Sequence, residues 1–426
     1  MKTKSLFWCL IVLFNVASCS QNPVFFTIST ETALKEAFIK GTPSNMVVFE
    51  REYPDPQDLL QTITVPILYI GAEGLHWYAR NDYGLGDDSY WNNEDYLIPQ
   101  PGGKIIQLAT TKDHLYALCL TGSTRTVHRI GSNENSWTII SSHNFLLQSI
   151  YTDPSDDGRL FAGAGTGSSN NFEILYLNDS AAPSLELLKS GTAMLSGTAF
   201  MGGNHYLSTR GNGIFQVSED DLIAGNTNNV RHLADECHLP DESNYNTHLF
   251  MGIIKLEDDT IIAVERNGGA FYKVDRSAVS YQQMKFDDDT VIGIGRYATG
   301  ALTLWQSIIP QTGEVDRKIL VVGKQGDLYS VLSSSLNGYV EFELNLTDGS
   351  LIHDSASRHD PPQISVEHNP FRYISTIGPI PINHLFQAPY SVDENMTFFA
   401  STYNAGLWSY RNLVDSGGWQ WNAETD

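Results

Sequence analysis

The sequence predicts an all-β fold, a seven-bladed β-propeller of four-stranded antiparallel blades, on three observations. One strand–turn–strand pattern recurs seven times. Its clearest copy runs Ile261-Ile262-Ala263-Val264, a polar turn centred on glycine, then Ala270-Phe271-Tyr272-Lys273-Val274. The copies begin at residues 68, 115, 160, 206, 261, 319 and 398, so neighbours lie 45 to 58 residues apart until the last step of 79. Four short strands every roughly 40–50 residues are the period of propeller blades. Lastly, runs such as Ile319-Leu320-Val321-Val322 are apolar on both faces. Such a sheet needs cover on both sides, which blade-on-blade packing supplies while leaving only short edges.

Each copy supplies the two middle strands of a blade, and two further strand signals flank it. Innermost strands are expected at Met46 to Phe49, Lys104 to Ala109, Phe145 to Ile150, Met194 to Phe200, His248 to Ile254, Val291 to Ile294 and His384 to Ala388. Outer strands are expected at Tyr90 to Ile98, Trp137 to Ile140, Leu185 to Leu188, Val230 to Leu233, Tyr281 to Phe286, Tyr339 to Leu344 and Trp419 to Trp421. The propeller then spans 46–426, with a long insertion at 345–383 accounting for the wide last step. A right-handed solenoid of the same strands is the alternative fold, and the aromatic third strands favour blades. Ring closure is expected from the strand-like run Phe25 to Ile28, docking on the last blade. Residues Glu31 to Lys40 are ambiguous, with a short helical stripe of Leu34, Ala37 and Phe38.

The N-terminus reads as a targeting segment. Lys2 and Lys4 precede the apolar run Leu6 to Ala17, which is too short to span a bilayer. It ends Val16-Ala17-Ser18-Cys19, which resembles the lipobox of bacterial lipoproteins. The resemblance implies cleavage after residue 18 and lipid attachment (palmitate among the acyl chains) at Cys19. Residues 1–18 would then be a signal peptide, and 19–45 a lipidated tether with the clasp strand. Ser20 after the cysteine implies the outer membrane under the sorting rule of many Gram-negative bacteria. Cys9 leaves with the signal, so Cys119 and Cys237 remain, in different repeats and read as free thiols.

Apolar residues make up 41% of the chain, enough to build a core, and the formal charge is −23. That charge disfavours nucleic-acid backbones and anionic head groups as partners. The sequence holds no His-Glu-x-x-His, Cys-x-x-Cys, Gly-x-Ser-x-Gly or P-loop motif, and no cofactor is expected. Gly163-Ala164-Gly165-Thr166-Gly167 sits in a strand turn with no helix after it, so it reads as a turn. Asp-rich turns lack the EF-hand pattern. His353, His359 and His368 stand beside acids in the insertion but match no metal spacing, so no metal is expected. The turns Ser132 to Trp137 and Asp415 to Trp419 resemble degenerate Asp-box hairpins, structural in meaning. Neither sialidase nor quinone-dependent dehydrogenase propellers share a motif with these residues that carries a resemblance.

Aligning the repeats gives the candidate site. In a propeller the turns between second and third strands share one face around the axis. Those turns place Glu73, Arg210, Arg266, Lys324 and Tyr403 at equivalent positions, with three cations in consecutive blades. Guanidinium forks suit carboxylate or phosphate, so an acidic ligand or partner side chain is expected there. Pairing with neighbouring Asp235, Asp241 or Asp287 is the competing reading. His248 and His384 open two innermost strands in near-identical contexts and read as strand caps.

The expected function is that of a membrane-anchored, extracytoplasmic binding scaffold of the cell envelope. It acts through its loop face on envelope proteins or an acidic ligand, and binding is favoured over catalysis. In type it resembles the propeller lipoprotein of outer-membrane assembly machines, and more distantly the lipoproteins of spirochaetes. A surface adhesin for host or matrix proteins and a glycan-active hydrolase or lyase remain as alternatives. The last would require carboxylates gathered beside the cations.

Overall fold

The computed structural model describes residues 39–424 apart from 56–57, 59, 79–90, 93–98, 143–145, 154–158, 166–170, 179–182, 236–247, 257–259, 268, 276–279, 286–291, 294–297, 309–314, 325–338, 345–381, 394 and 414–417. The leader, Cys19, the Phe25 to Ile28 run, most of the ambiguous Glu31 to Lys40 stretch, Cys237 and the three insertion histidines lie outside the described residues.

Seven antiparallel meanders follow one another, each starting with its innermost strand. Blade one holds β1 (Met46–Pro54), β2 (Thr62–Gly71) and β3 (Leu75–Tyr78), with Asn92 bridging to Trp77 in the fourth place. Blade two is β4 (Lys104–Thr110), β5 (His114–Thr121), β6 (Thr124–Gly131) and β7 (Thr138–Ser142). Blade three is β8 (Leu146–Tyr151), β9 (Phe161–Gly165), β10 (Phe172–Asn178) and β11 (Ser184–Thr192). Blade four is β12 (Leu195–Met201), β13 (Asn204–Thr209), β14 (Ile214–Ser218) and β15 (Arg231–His232). The short helix α1 (Glu219–Ile223) follows β14, capped by the Ser218 side chain accepting from Asp221 N. After the linking strand β16 (Ala234–Asp235), blade five is β17 (Phe250–Lys255), β18 (Thr260–Glu265), β19 (Phe271–Asp275) and β20 (Ser280–Gln283). Blade six shows β21 (Ala298–Ile308), β22 (Val315–Lys324) and β23 (Tyr339–Leu344). Blade seven is β24 (Ile382–Asp393), β25 (Asn395–Thr402), β26 (Leu407–Leu413) and β27 (Gly418–Ala423).

The first strands of successive blades stand side by side around one axis, and β24 lies beside β1, so the ring is closed. The fold is a seven-bladed β-propeller, as the repeat predicts. Its core lies between blades rather than within them. Val47, Phe49, Tyr69 and Trp77 of blade one pack with Ile105, Leu108 and Leu115 of blade two. Leu68, Ile70 and Trp91 of blade one pack with Phe399 and Leu407 of blade seven. Each large apolar side chain buried this way contributes about 1.5–3 kcal/mol, and a lone blade would forfeit most of it.

Polar side chains lock the seams beside the axis. Asn45 donates from Nδ2 to the Leu108 carbonyl (2.7 Å) and accepts at Oδ1 from Leu108 N (2.8 Å). Gln387 does the same to Gln306 at 2.8 Å each way, and Gln107 accepts from Ile150 N at 3.0 Å. Primary amides fit this task because each carries a donor and an acceptor spaced like a backbone unit. Outer edges are also joined in places: β7 pairs parallel with β11, and β16 with β20.

Residues 39–44 also bond across the closing seam. Leu407 N donates to the Ile39 carbonyl (3.0 Å), Gly406 N to Gly41 (2.9 Å), and Ser401 Oγ to Pro43 (2.6 Å). All four strands of the last blade come from the C-terminal segment, as the sequence reading holds.

Blade six corrects that reading. Its innermost strand is β21, not Val291 to Ile294. Ile292 instead bonds Phe271 and Met284, and Gly293 bridges Ala270, so these two residues belong to blade five. Tyr339 to Leu344 pairs directly with β22 and takes the third place rather than the fourth. Short apolar runs of similar composition compete for each place, and hydrogen-bond partners distant in sequence choose between them. The Asp-box-like turn after Gly131 is structural, as expected. Gly131 N donates to Glu134 Oε2 (2.8 Å), and the buried Arg51 guanidinium donates to the carbonyls of Gly131 (2.9 Å) and Glu134 (2.8 Å).

Candidate functional site: the central channel

The turn after the second strand is built alike in blades four and seven. Thr209 N and Oγ1 both donate to the Gly213 carbonyl (3.0 and 2.9 Å), and Thr402 N and Oγ1 to that of Gly406 (3.1 and 2.7 Å). Gly213 and Gly406 both have positive φ, at 66° and 79°, which closes the turn without a Cβ penalty. The residue after each threonine, Arg210 or Tyr403, therefore sits at the same place. Arg266 has an equivalent anchor: its backbone N donates to Leu249, as Arg210 N does to Met194, both at 2.8 Å.

These turns open onto a channel of about 1030 Å³ along the axis, lined by the innermost strands of all seven blades. In blades two to seven the innermost strand is bulged near its start, between Ile105 and Gln107, Leu147 and Ser149, Leu195 and Gly197, Phe250 and Gly252, Ala298 and Leu302, and Ile382 and His384. Bulges bend a strand and re-aim its side chains. In blade six Thr299, Gly300 and Ala301 together oppose one residue, Gly323. A Cβ on Gly300 would stand 3.9 Å from Arg210 Nη2, so this guanidinium reaches from blade four towards blade six.

Arg210, Arg266 and Tyr403 line the channel, as the repeat alignment expects. Glu73 does not: it stands outside the lining, 87% exposed at the side chain, and pairs with Lys104 Nζ at 3.0 Å. Lys324 ends β22, its side chain lies outside the described residues, and it is absent from the described lining. Tyr403 is 58% exposed at the mouth. Arg210 makes no ion pair among the described residues. Two buried polar atoms of blade four also lack a hydrogen-bond partner among them, Arg210 Nε and Thr198 Oγ1, and both residues line the channel.

His384, read from sequence as a strand cap, lies in the channel wall. Burial, and then the charge of Arg210, push its imidazole down to about 4, so it is neutral at pH 7. Tyr151 lines the opposite blade; burial holds its phenol above the ordinary value, partly offset by Arg210 and by hydrogen bonds with Gln107 and Ser149. The signal that marks His384 is its place in the repeat, one residue after Asn383 on the bulge of an innermost strand. Among the described residues the lining contains no Asp or Glu, and no group of three or more His, Cys, Asp or Glu gathers as a metal site.

No family model matches the chain, and no curated protein does. Among solved structures it is similar to an ancestral GH74 enzyme at 13% identity and a TM-score of 0.52, covering 92% of this chain and 47% of that one. The chain thus spans about half the length of that enzyme. It is also similar to virginiamycin B lyase from Staphylococcus aureus (12% identity, TM-score 0.49, 87% and 95% covered). A third is the periplasmic gluconolactonase of Pseudomonas aeruginosa (12%, 0.48, 90% and 98%). The likeness to the GH74 enzyme speaks to the propeller fold alone, a class that includes both binding proteins and enzymes.

Proposed function

We propose that the protein is a membrane-anchored, extracytoplasmic binding propeller that takes an anionic group into its central channel. One observation carries the reading. In a chain of formal charge −23, the described channel wall holds two arginines and a histidine and no acid. Cations confined between low-dielectric walls act on an anion more strongly than on an open surface. The carboxylate pair that most glycoside hydrolysis needs is not present among the described lining residues, which favours binding over that chemistry. Calorimetry of the soluble chain with a panel of small anions tests the reading. Binding that survives Arg210→Ala combined with Arg266→Ala would sink it.

The anchor is the second half of the proposal. Val16-Ala17-Ser18-Cys19 supplies the recognition sequence and Cys19 the acceptor. Metabolic labelling with an alkynyl palmitate, comparing wild type with Cys19→Ser, checks it. Equal labelling of the two proteins would refute lipidation at this residue.

A further inference from the structure

Resting on that reading, we infer that the ligand is a small carboxylic acid rich in hydroxyls, of the sugar-acid class, seated with its carboxylate at Arg210. Two groups in the wall of blade four point to it, Arg210 Nε and Thr198 Oγ1. Among the described residues Arg210 Nε–H has no acceptor and the hydroxyl of Thr198, only 8% exposed, has no partner, and burying either group unpaired costs free energy. A carboxylate is the planar acceptor that fits a guanidinium edge, taking parallel bonds from Nε and a terminal nitrogen. Thr198 Oγ1, on the innermost strand of the same blade, is a donor for a second ligand oxygen.

The surroundings of Arg210 narrow the class further. Its Nη2 stands 3.9 Å from where a Cβ on Gly300 of blade six would be, and its charge acts on Tyr151 of blade three and His384 of blade seven, both in the channel wall. A neutral imidazole beside the cation can both donate and accept, as hydroxyl-bearing ligands require. Thr110, Thr152, Thr303 and Asn383, also in the lining, add groups of the same dual character. A channel of about 1030 Å³ has room for a monosaccharide acid or a short acidic oligosaccharide. A free sugar acid and the end residue of an acidic glycan share this chemistry.

The test is titration calorimetry of the soluble chain with glucuronate, gluconate and a glucuronate-containing disaccharide. Glucose, acetate, inorganic phosphate and a glutamate tripeptide serve as controls. The inference expects the sugar acids to bind at least about tenfold more tightly than acetate, phosphate or the peptide, and glucose not to bind. A monosaccharide as tight as the disaccharide points to the free acid; a tighter disaccharide points to a glycan end. Arg210→Lys, which keeps the charge but loses the fork, is expected to weaken binding by about tenfold or more. Thr198→Val is expected to weaken the sugar acids several-fold and leave acetate unchanged, with an unaltered melting curve as the folding control. If acetate or phosphate binds as well as the sugar acids, the inference falls while anion binding stands. If the peptide binds best, the ligand is a protein side chain and the inference falls. If no anion binds, both readings fall.

Discussion

Trp91 donates its indole N–H to Glu424 Oε2 at 3.0 Å, joining blade one to the end of the chain across 333 residues. Both side chains are largely buried, and Ser409 Oγ donates to the other carboxylate oxygen. The carboxylate thus ties blade one to the third strand of blade seven. Because each blade depends on its neighbours for cover, this contact guards the last seam to close. Replacing Glu424 by Ala removes the carboxylate that accepts from two buried donors. It is expected to destabilise by about 1–3 kcal/mol, read as a lower urea midpoint. Trp91→Phe removes one donor and is expected to cost less.

The seam at Asn45 gives an independent check. Asn45→Ala strands both the N–H and the carbonyl of Leu108 in a part-buried place. A loss of about 1–3 kcal/mol is expected. Asn45→Asp keeps the acceptor and loses the donor, so it should fall between wild type and Ala. A midpoint for Asn45→Ala equal to wild type would show that the amide lock adds nothing.

Two acid limbs of the stability curve are expected, in separate windows. His384 is held at about 4 in the fold against an ordinary 6.5, so below 6.5 the unfolded chain takes up a proton that the folded chain refuses. Its contribution is complete above about 6.5 and is lost as pH falls towards 4. Glu219 is the opposite chemical case with the same sign. Burial raises its carboxyl, but bonds from His205 and Arg159 outweigh this and hold it at about 2 against an ordinary 4.5. That contribution is lost as pH falls from 4.5 towards 2. Subtracting the stability curve of His384→Gln from wild type should isolate the first window, and Glu219→Gln the second. A difference curve flat through its window contradicts the corresponding assignment.

Cys119 is expected to be inert in the folded protein. It is fully buried in β5, and burial pushes its thiol up to about 12, so almost no thiolate forms at pH 8. Peptide mapping after iodoacetamide should find it unmodified without denaturant and modified in urea. Its substitution by Ala removes only a small buried side chain, so the fold should be retained.

Much of the architecture was legible because a blade repeats its hydrophobic sentence at every turn of the ring. Ile261 to Val264 and Phe271 to Val274 form the paired core strands of blade five as the pattern implies. The equivalence of Arg210, Arg266 and Tyr403 was legible for the same reason: matching turns hold matching positions. Blade six was misread because Val291 to Ile294 and Ala298 to Leu302 offer similar runs close together, and only pairing with Phe271 or with β22 separates them. Glu73 stands outside the described channel lining, paired with Lys104, because alignment fixes a backbone position but not the direction of a side chain.

The candidate turn residues were thus named by the sequence, and the channel gave them a setting. Periodicity and two-faced apolar strands determine seven blades, since those properties are local and repeated. The chain's acidity, the cations in its turns and the resemblance of Val16 to Cys19 to a lipobox are likewise readable one residue at a time. Tertiary structure alone decided that Arg210 reaches from blade four towards Gly300 of blade six, and that Thr198 lies buried with no hydrogen-bond partner among the described residues. It alone put His384 in the same wall rather than at a strand cap. The physical reason is that charge, burial and hydrogen-bond satisfaction in a channel depend on groups from several blades. Those groups are scores of residues apart in sequence, and only closure of the ring brings them together.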